Sequence, residues 1–282
     1  MNSFFKRFFY LFLFSSLFIA LCAVAMVYQT ALLFKLDIPS ALYCFVAGGT
    51  LCSYNFHWYL TPPGGTGSTT KYWSLHNKPL HLILFFIGFA LSCICSILLI
   101  KHWPWLLVSA FFTFLYSAPK IPHPVFQSLQ KIAVGKTVFL AFAWMHVTTL
   151  LPMVILNGNL DNEQIIFAVN RFFFIYAICV LFDYRDRRQD SIAGIRSLIT
   201  QLPEQGVDFI FWGSILVAGI TAFLLLGYFS SWVVLALVIP IVLLSLLYSS
   251  SKKNFSNLRY YFVLDGLMML SAPLVVLAKF AR

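Results

Sequence analysis

Asp183, Asp186 and Asp190 stand at i, i+3 and i+7 in the segment FDYRDRRQDSIAGIRSLITQLPEQG. On a helix that spacing turns three carboxylates to one face. Three negative charges so close repel one another unless they share a cation, and hard oxygen ligands on one face suit Mg2+ whose shell is completed by phosphate oxygens. Arg185, Arg187, Arg188 and Arg196 lie among them and offer N–H donors to the same oxygens. Spacing alone leaves exposed Asp–Arg ion pairs on a polar loop equally open.

The elements that carry these residues are set by composition. Of 282 residues, 61% are apolar, 18% aromatic and 10% charged, with a mean hydropathy of +0.87. Soluble domains run at about 45–50% apolar and about 25% charged. Nineteen basic and nine acidic side chains cannot cover a 32.1 kDa globule, so lipid must cover most of its surface. A soluble enzyme, a secreted module and a disordered tail are excluded. The net charge of +10 sits in short loops between apolar runs, as membrane topology requires, so no nucleic-acid partner is expected. Cys22, Cys44, Cys52, Cys93, Cys95 and Cys179 lie in or beside apolar runs as small hydrophobes, and neither disulfides nor thiolate metal sites are expected.

A transmembrane helix needs about 20 apolar residues. Nine spans are predicted: Phe8 to Phe34, Ile38 to Tyr54, Leu80 to Ile100, Trp103 to Tyr116, Ile132 to Leu156, Ile165 to Phe182, Phe209 to Phe229, Trp232 to Tyr248 and Tyr260 to Phe280. The first imitates a signal peptide as far as Ala23-Val24-Ala25 but continues to Phe34, and reads as a retained helix. The chain is therefore expected to be all-α, a nine-helix membrane bundle in a single domain over residues 1–282. Ala47-Gly48-Gly49 and Gly88 would let helices approach closely.

Short connections alternate with longer basic ones, which carry 13 Lys and Arg (N-terminus included) against 4 on the other side. The positive-inside rule then puts the N-terminus and every long loop in the cytoplasm, in a multi-pass protein of a bacterial inner membrane. Three ionisable residues fall inside spans. Lys136 and Asp265 lie at similar depth and read either as a structural pair or, for Lys136, as a substrate contact. Arg171 is expected to snorkel to the outer face.

The string RDRRQDSIAGIRSL, with Arg185, Asp186, Asp190, Gly194, Arg196, Ser197 and Leu198, resembles the second aspartate-rich motif of the UbiA superfamily of intramembrane prenyltransferases. That pattern runs Asp, three residues, Asp, then Gly followed by a basic residue and Ser or Thr. The family carries it after the sixth of nine helices on the cytoplasmic side, where the loop count puts it here. Tyr116-Ser117-Ala118-Pro119-Lys120 resembles the family's Tyr-containing loop after the fourth helix, whose Lys or Arg helps hold diphosphate. Asn55 matches the Asn that opens the first aspartate-rich motif. The resemblance implies Mg2+, a polyprenyl diphosphate or other isoprenoid lipid as ligand, and transfer of the prenyl group to an acceptor after the allylic C–O bond ionises. It implies catalytic metal ligation by Asp186 and Asp190, with Asp183 as ligand or support. Asn55, Tyr116, Lys120 and Arg196, with Lys136 as above, are the expected substrate-binding residues.

One departure bears on activity. After Asn55 the family has Asp at the next position, three later and four after that, whereas this chain has Phe56, Tyr59 and Pro63, and no carboxylate occurs between Asp37 and Asp161. The alternative is then a homologue without catalysis that binds lipid or a protein partner. His57, His76 and His81 read as replacement ligands or, more readily, as polar residues at the membrane interface. A transporter reading has no broken, inverted helices behind it.

Overall fold

A computed structural model describes residues 3–61, 69–121, 123, 125–126, 135–192, 194 and 197–280, apart from some side chains, that of Lys136 included. Among them there is no strand, and the chain runs helix to helix. Seven helices are long and apolar enough to cross a membrane: Leu17–Phe34, Lys78–Leu98, Thr137–Leu156, Asn162–Ile192, Glu204–Gly227, Ser231–Lys253 and Arg259–Phe280. Two of the nine expected spans fall outside that set. Ser40–Tyr59 has the length but carries Ser40, Thr50, Ser53, Asn55 and His57, and Trp103–Ser117 has only 15 residues.

The helices close into a ring. Leu17–Phe34 packs on Ser40–Tyr59, which lies along Lys78–Leu98 and touches Trp103–Ser117. Gly135–Met145 follows, then Asn162–Ile192, Glu204–Leu224, Ser231–Lys253 and Asp265–Phe280, which returns to Leu17–Phe34. Phe14, Met26, Leu42, Phe167, Ile178, Phe211 and Tyr260 are sealed inside. Ile97, Leu98, Phe209 and Leu246 face outward, where lipid replaces water and an apolar surface costs nothing.

Glycine allows one close approach. A Cβ on Gly88 would stand 2.6 Å from the Gly48 carbonyl oxygen and 2.7 Å from the Cys52 nitrogen, so Ser40–Tyr59 and Lys78–Leu98 meet backbone to backbone, as their small residues predict.

The first span is not one helix. Ser3–Phe14 ends in a turn at Ser15-Ser16, where Ser16 adopts φ 68°, and Leu17–Phe34 begins a new axis. The Ser15 carbonyl freed by the break is capped by the Asn55 amide at 3.1 Å, so a partner far along the chain stabilises the interruption.

Arg171 does not snorkel. It is 4% exposed and donates to the carbonyls of Met26 (3.0 Å) and Thr148 (3.1 Å), to Thr30 Oγ1 (3.3 Å) and to Gln29 Oε1 (2.5 Å). Gln29 is held in turn by Ser271, while the Thr148 carbonyl lies in the π-helical turn His146–Leu150 and also accepts from Thr30. Oriented carbonyl dipoles from two helices make burial cheaper than the reach to an interface. The result is a polar brace joining four helices.

Candidate functional site: the loop-rich end of the bundle

The Asp-bearing helix runs unbroken from Asn162 to Ile192, so Asp183, Asp186 and Asp190 do project from a helix as their spacing predicts. Their surroundings differ. Asp183 is buried and accepts a short hydrogen bond from Thr137 Oγ1. Asp186 is gripped at both oxygens by its neighbour, Arg185 Nε to Oδ1 at 2.8 Å and Nη2 to Oδ2 at 3.1 Å. Asp190 is half-buried and also interacts within the chain.

Arg185 is caged as well as paired. Its guanidinium carbon lies 4.7 Å from the Tyr260 ring centre and 5.0 Å from those of Phe182 and Tyr261. Aromatic faces attract a cation more strongly where water is scarce, which keeps this charge stable with its side chain only 14% exposed.

A second polar cluster clamps the same helix end. Arg187 donates to Glu204 at 2.8 Å and to the Leu202 carbonyl, and Lys252 bridges Glu204 and Asp208 at 2.8 Å each. Tyr248 adds a hydrogen bond to Asp208 and Tyr184 one to Glu204. Sequence reasoning missed this clamp, although Glu204 and Asp208 at i, i+4 near the start of a helix carried a signal for it.

Across from the Asp-bearing helix, the segment that departs from the family pattern is occupied by aromatic and basic partners. Lys120 Nζ donates to His57 Nε2 at 2.7 Å and to Thr61 Oγ1 at 2.6 Å, and the His57 ring stacks on Tyr116 at 4.6 Å. Trp58 lies edge-on to Tyr261 at 6.1 Å, and so reaches the ring that cages Arg185. The two loops therefore face each other, with rings where carboxylates were absent from the sequence. Phe56 turns the other way and stacks on Phe85. Tyr59 takes Lys78 over its ring at 5.8 Å, and Pro63 lies outside the described residues.

Asn55 is 0% exposed and fully engaged: its amide donates to the Ser15 and Leu51 carbonyls, and its Oδ1 accepts from His81 Nδ1 at 2.7 Å. That geometry accounts for Asn55 as a structural tie. His57, His76 and His81 are not gathered: His81 is buried on Asn55, His76 meets the Tyr72 carbonyl, and His57 meets Lys120. Arg196 and the side chain of Lys136 lie outside the described residues, so the Lys136–Asp265 pair does too. Asp265 itself is 8% exposed at the start of the last helix.

An apolar cavity of about 770 Å³ opens between Ser40–Tyr59, Lys78–Leu98, Trp103–Ser117 and Gly135–Met145. Val46, Phe85, Phe89, Trp103, Leu107 and Trp144 line it, with Tyr54, Tyr116 and Ser117 at its loop-rich end. Tyr54 accepts from Trp144 Nε1 at 3.1 Å and lies 6.3 Å from Tyr116. The cavity thus ends beside the ring that stacks on His57, the partner of Lys120.

Mg2+ prefers near-octahedral oxygen ligands and several retained waters. Asp183 is turned to Thr137, Asp186 has both oxygens on a guanidinium, and among the described residues no three His, Cys, Asp or Glu side chains gather as ligands. The residues as arranged do not fit the metal implied by the resemblance.

A ring of apolar helices, with a lipid-sized cavity between four of them and a polar end built from an Asp-bearing helix and the Tyr116–Lys120 segment, is the architecture of a multi-pass membrane protein. Residues 77–262, well over half of the chain, match the model of the UbiA prenyltransferase family, and the chain belongs to that family. Its fold is similar to a solved structure described as the apo structure of a UbiA homolog from Aeropyrum pernix K1. The TM-score is 0.67 at 11% identity, over 93% of this chain and 97% of that one. No curated protein matches the sequence.

Proposed function

We propose that this chain is an intramembrane protein of prenyltransferase type that binds an isoprenoid diphosphate and passes its prenyl group to an acceptor. The observation that carries this reading is the apolar cavity, whose volume of about 770 Å³ lies within the about 300–1,000 Å³ of small-molecule sites and which ends at the Tyr116–His57–Lys120 cluster. The prenyl chain would occupy the cavity and the diphosphate the loop-rich end, with Lys120 and Arg196 holding phosphate oxygens. The allylic C–O bond breaks with both electrons leaving on the diphosphate. The acceptor then bonds to the carbocation and loses a proton, while aromatic faces shield the cation from water. Mg2+, where a family member holds it, neutralises the diphosphate; no step here is routed through it, because Asp183, Asp186 and Asp190 are turned to other partners.

Incubation of the purified protein with radiolabelled isoprenyl diphosphates of several lengths and a membrane extract is expected to yield a labelled lipid product. Retention of unreacted diphosphate without product would establish the second reading, a binding homologue without catalysis, which Phe56 and Tyr59 at acidic family positions favour. Failure to retain any isoprenyl diphosphate would remove both.

The orientation belongs to the same proposal, with the N-terminus and the long basic loops in the cytoplasm of a bacterial cell. Cysteine placed by Gln189→Cys, at an exposed position between Asp186 and Asp190, should react with a membrane-impermeant maleimide only in inside-out vesicles. Labelling in intact spheroplasts would invert the topology.

A further inference from the structure

We propose that the phosphate end of the isoprenoid ligand is bound without a divalent metal, by the caged guanidinium of Arg185 in the place where the family's pattern would put an ion. The inference rests on the ligand class proposed above and concerns what neutralises it. Three observations carry it.

The carboxylates that would hold a metal are spent on protein partners. Asp186 makes a two-point pair with Arg185, and no acid faces it from the first loop, where Trp58 reaches Tyr261 instead. Secondly, Arg185 is built as a fixed cation. Three rings lie within 5.0 Å of its guanidinium carbon, its side chain is 14% exposed, and the fork, which gives two N–H groups to Asp186 and also meets the Tyr261 hydroxyl, keeps further donors. Asp186, with its side chain 39% exposed, orients the fork rather than serving as a metal ligand. Thirdly, the replaced first loop presents a cation of its own. Lys120 is drawn to His57 and Thr61, on the two sides of Trp58 in sequence. A guanidinium matches phosphate oxygens in geometry and stays charged at any physiological pH.

The test is equilibrium binding of radiolabelled geranylgeranyl diphosphate to the full-length protein in nanodiscs, with Mg2+ and with EDTA. The expected result is the same affinity within about twofold in both buffers, with inorganic diphosphate competing in each; one buried charged contact removed is worth about tenfold or more. Arg185→Gln should weaken binding at least about tenfold in EDTA, with Arg185→Lys recovering part of it, while Asp186→Asn costs only a few-fold. Size-exclusion profiles matching the wild type exclude misfolding; if Arg185→Gln fails that control, Arg185→Lys and the two-buffer comparison on wild type decide. Binding that appears only with Mg2+, whether or not Asp186→Asn abolishes it, overturns the proposal and leaves the ligand class standing. Absence of binding in both buffers removes the ligand class and the proposal together.

Discussion

Arg171→Met is expected to lower the melting temperature of the detergent-solubilised protein by roughly 10 °C, the largest loss from any single substitution away from the cavity. Methionine fills much of the space but donates nothing, so the Met26 and Thr148 carbonyls and Gln29 Oε1 lose the donor that now serves them. A buried acceptor left without its donor costs about 1–3 kcal/mol. Thr30 still reaches the two carbonyls and Ser271 still reaches Gln29, which trims the sum to about 3–5 kcal/mol. At about 2–4 °C per kcal/mol for a chain of this size class, the shift is easily read by a thermal scan. Arg171→Lys should fall between, because one ammonium cannot span acceptors contributed by two separate helices. A methionine variant that melts within about 2 °C of wild type would mean that the brace contributes nothing net.

Gly88→Val is expected to be comparably damaging and to reach the cavity. The first added carbon already overlaps the Gly48 carbonyl and the Cys52 nitrogen, both backbone atoms that no side-chain rotation can clear. The helices Ser40–Tyr59 and Lys78–Leu98 must separate, at a cost of about 1–3 kcal/mol or more. Since Cys52, Phe56, Phe85 and Phe89 on these two helices line the cavity, ligand retention should fall with stability. Gly219→Ala is the matched control. It sits within Glu204–Leu224 with nothing within 4 Å of an added Cβ, and removing a mid-helix glycine should be neutral or add about 0.5–1 kcal/mol. If both variants melt alike, the backbone contact is not what holds the pair of helices.

What could be read from the sequence followed local pattern. Apolar run length marked most of the spans, and the i, i+3, i+7 spacing put three aspartates on a helix that proved to continue through them. Small residues marked a place where backbones touch, at Gly48 and Gly88. Whatever depended on a distant partner was not legible. Ser15-Ser16 became a break because Asn55 caps the freed carbonyl, and Arg171 stayed buried because a π-helical turn some twenty residues away offers its carbonyl. The motif position of Asn55 points to a substrate contact, yet His81, from another helix, occupies its oxygen. The partner of Asp186 was its immediate neighbour, and spacing alone could not choose between that pair and a shared cation.

The break at Ser16 also bears on how the protein sits in the bilayer. Ser3–Phe14 is about 18 Å long at 1.5 Å per residue, too short to cross about 30 Å of hydrocarbon. Leu17–Phe34 is the segment here long and apolar enough to span, and the short helix before the serine elbow rests on the bundle instead, held against Trp73 and Phe262 by Phe14 and Phe9.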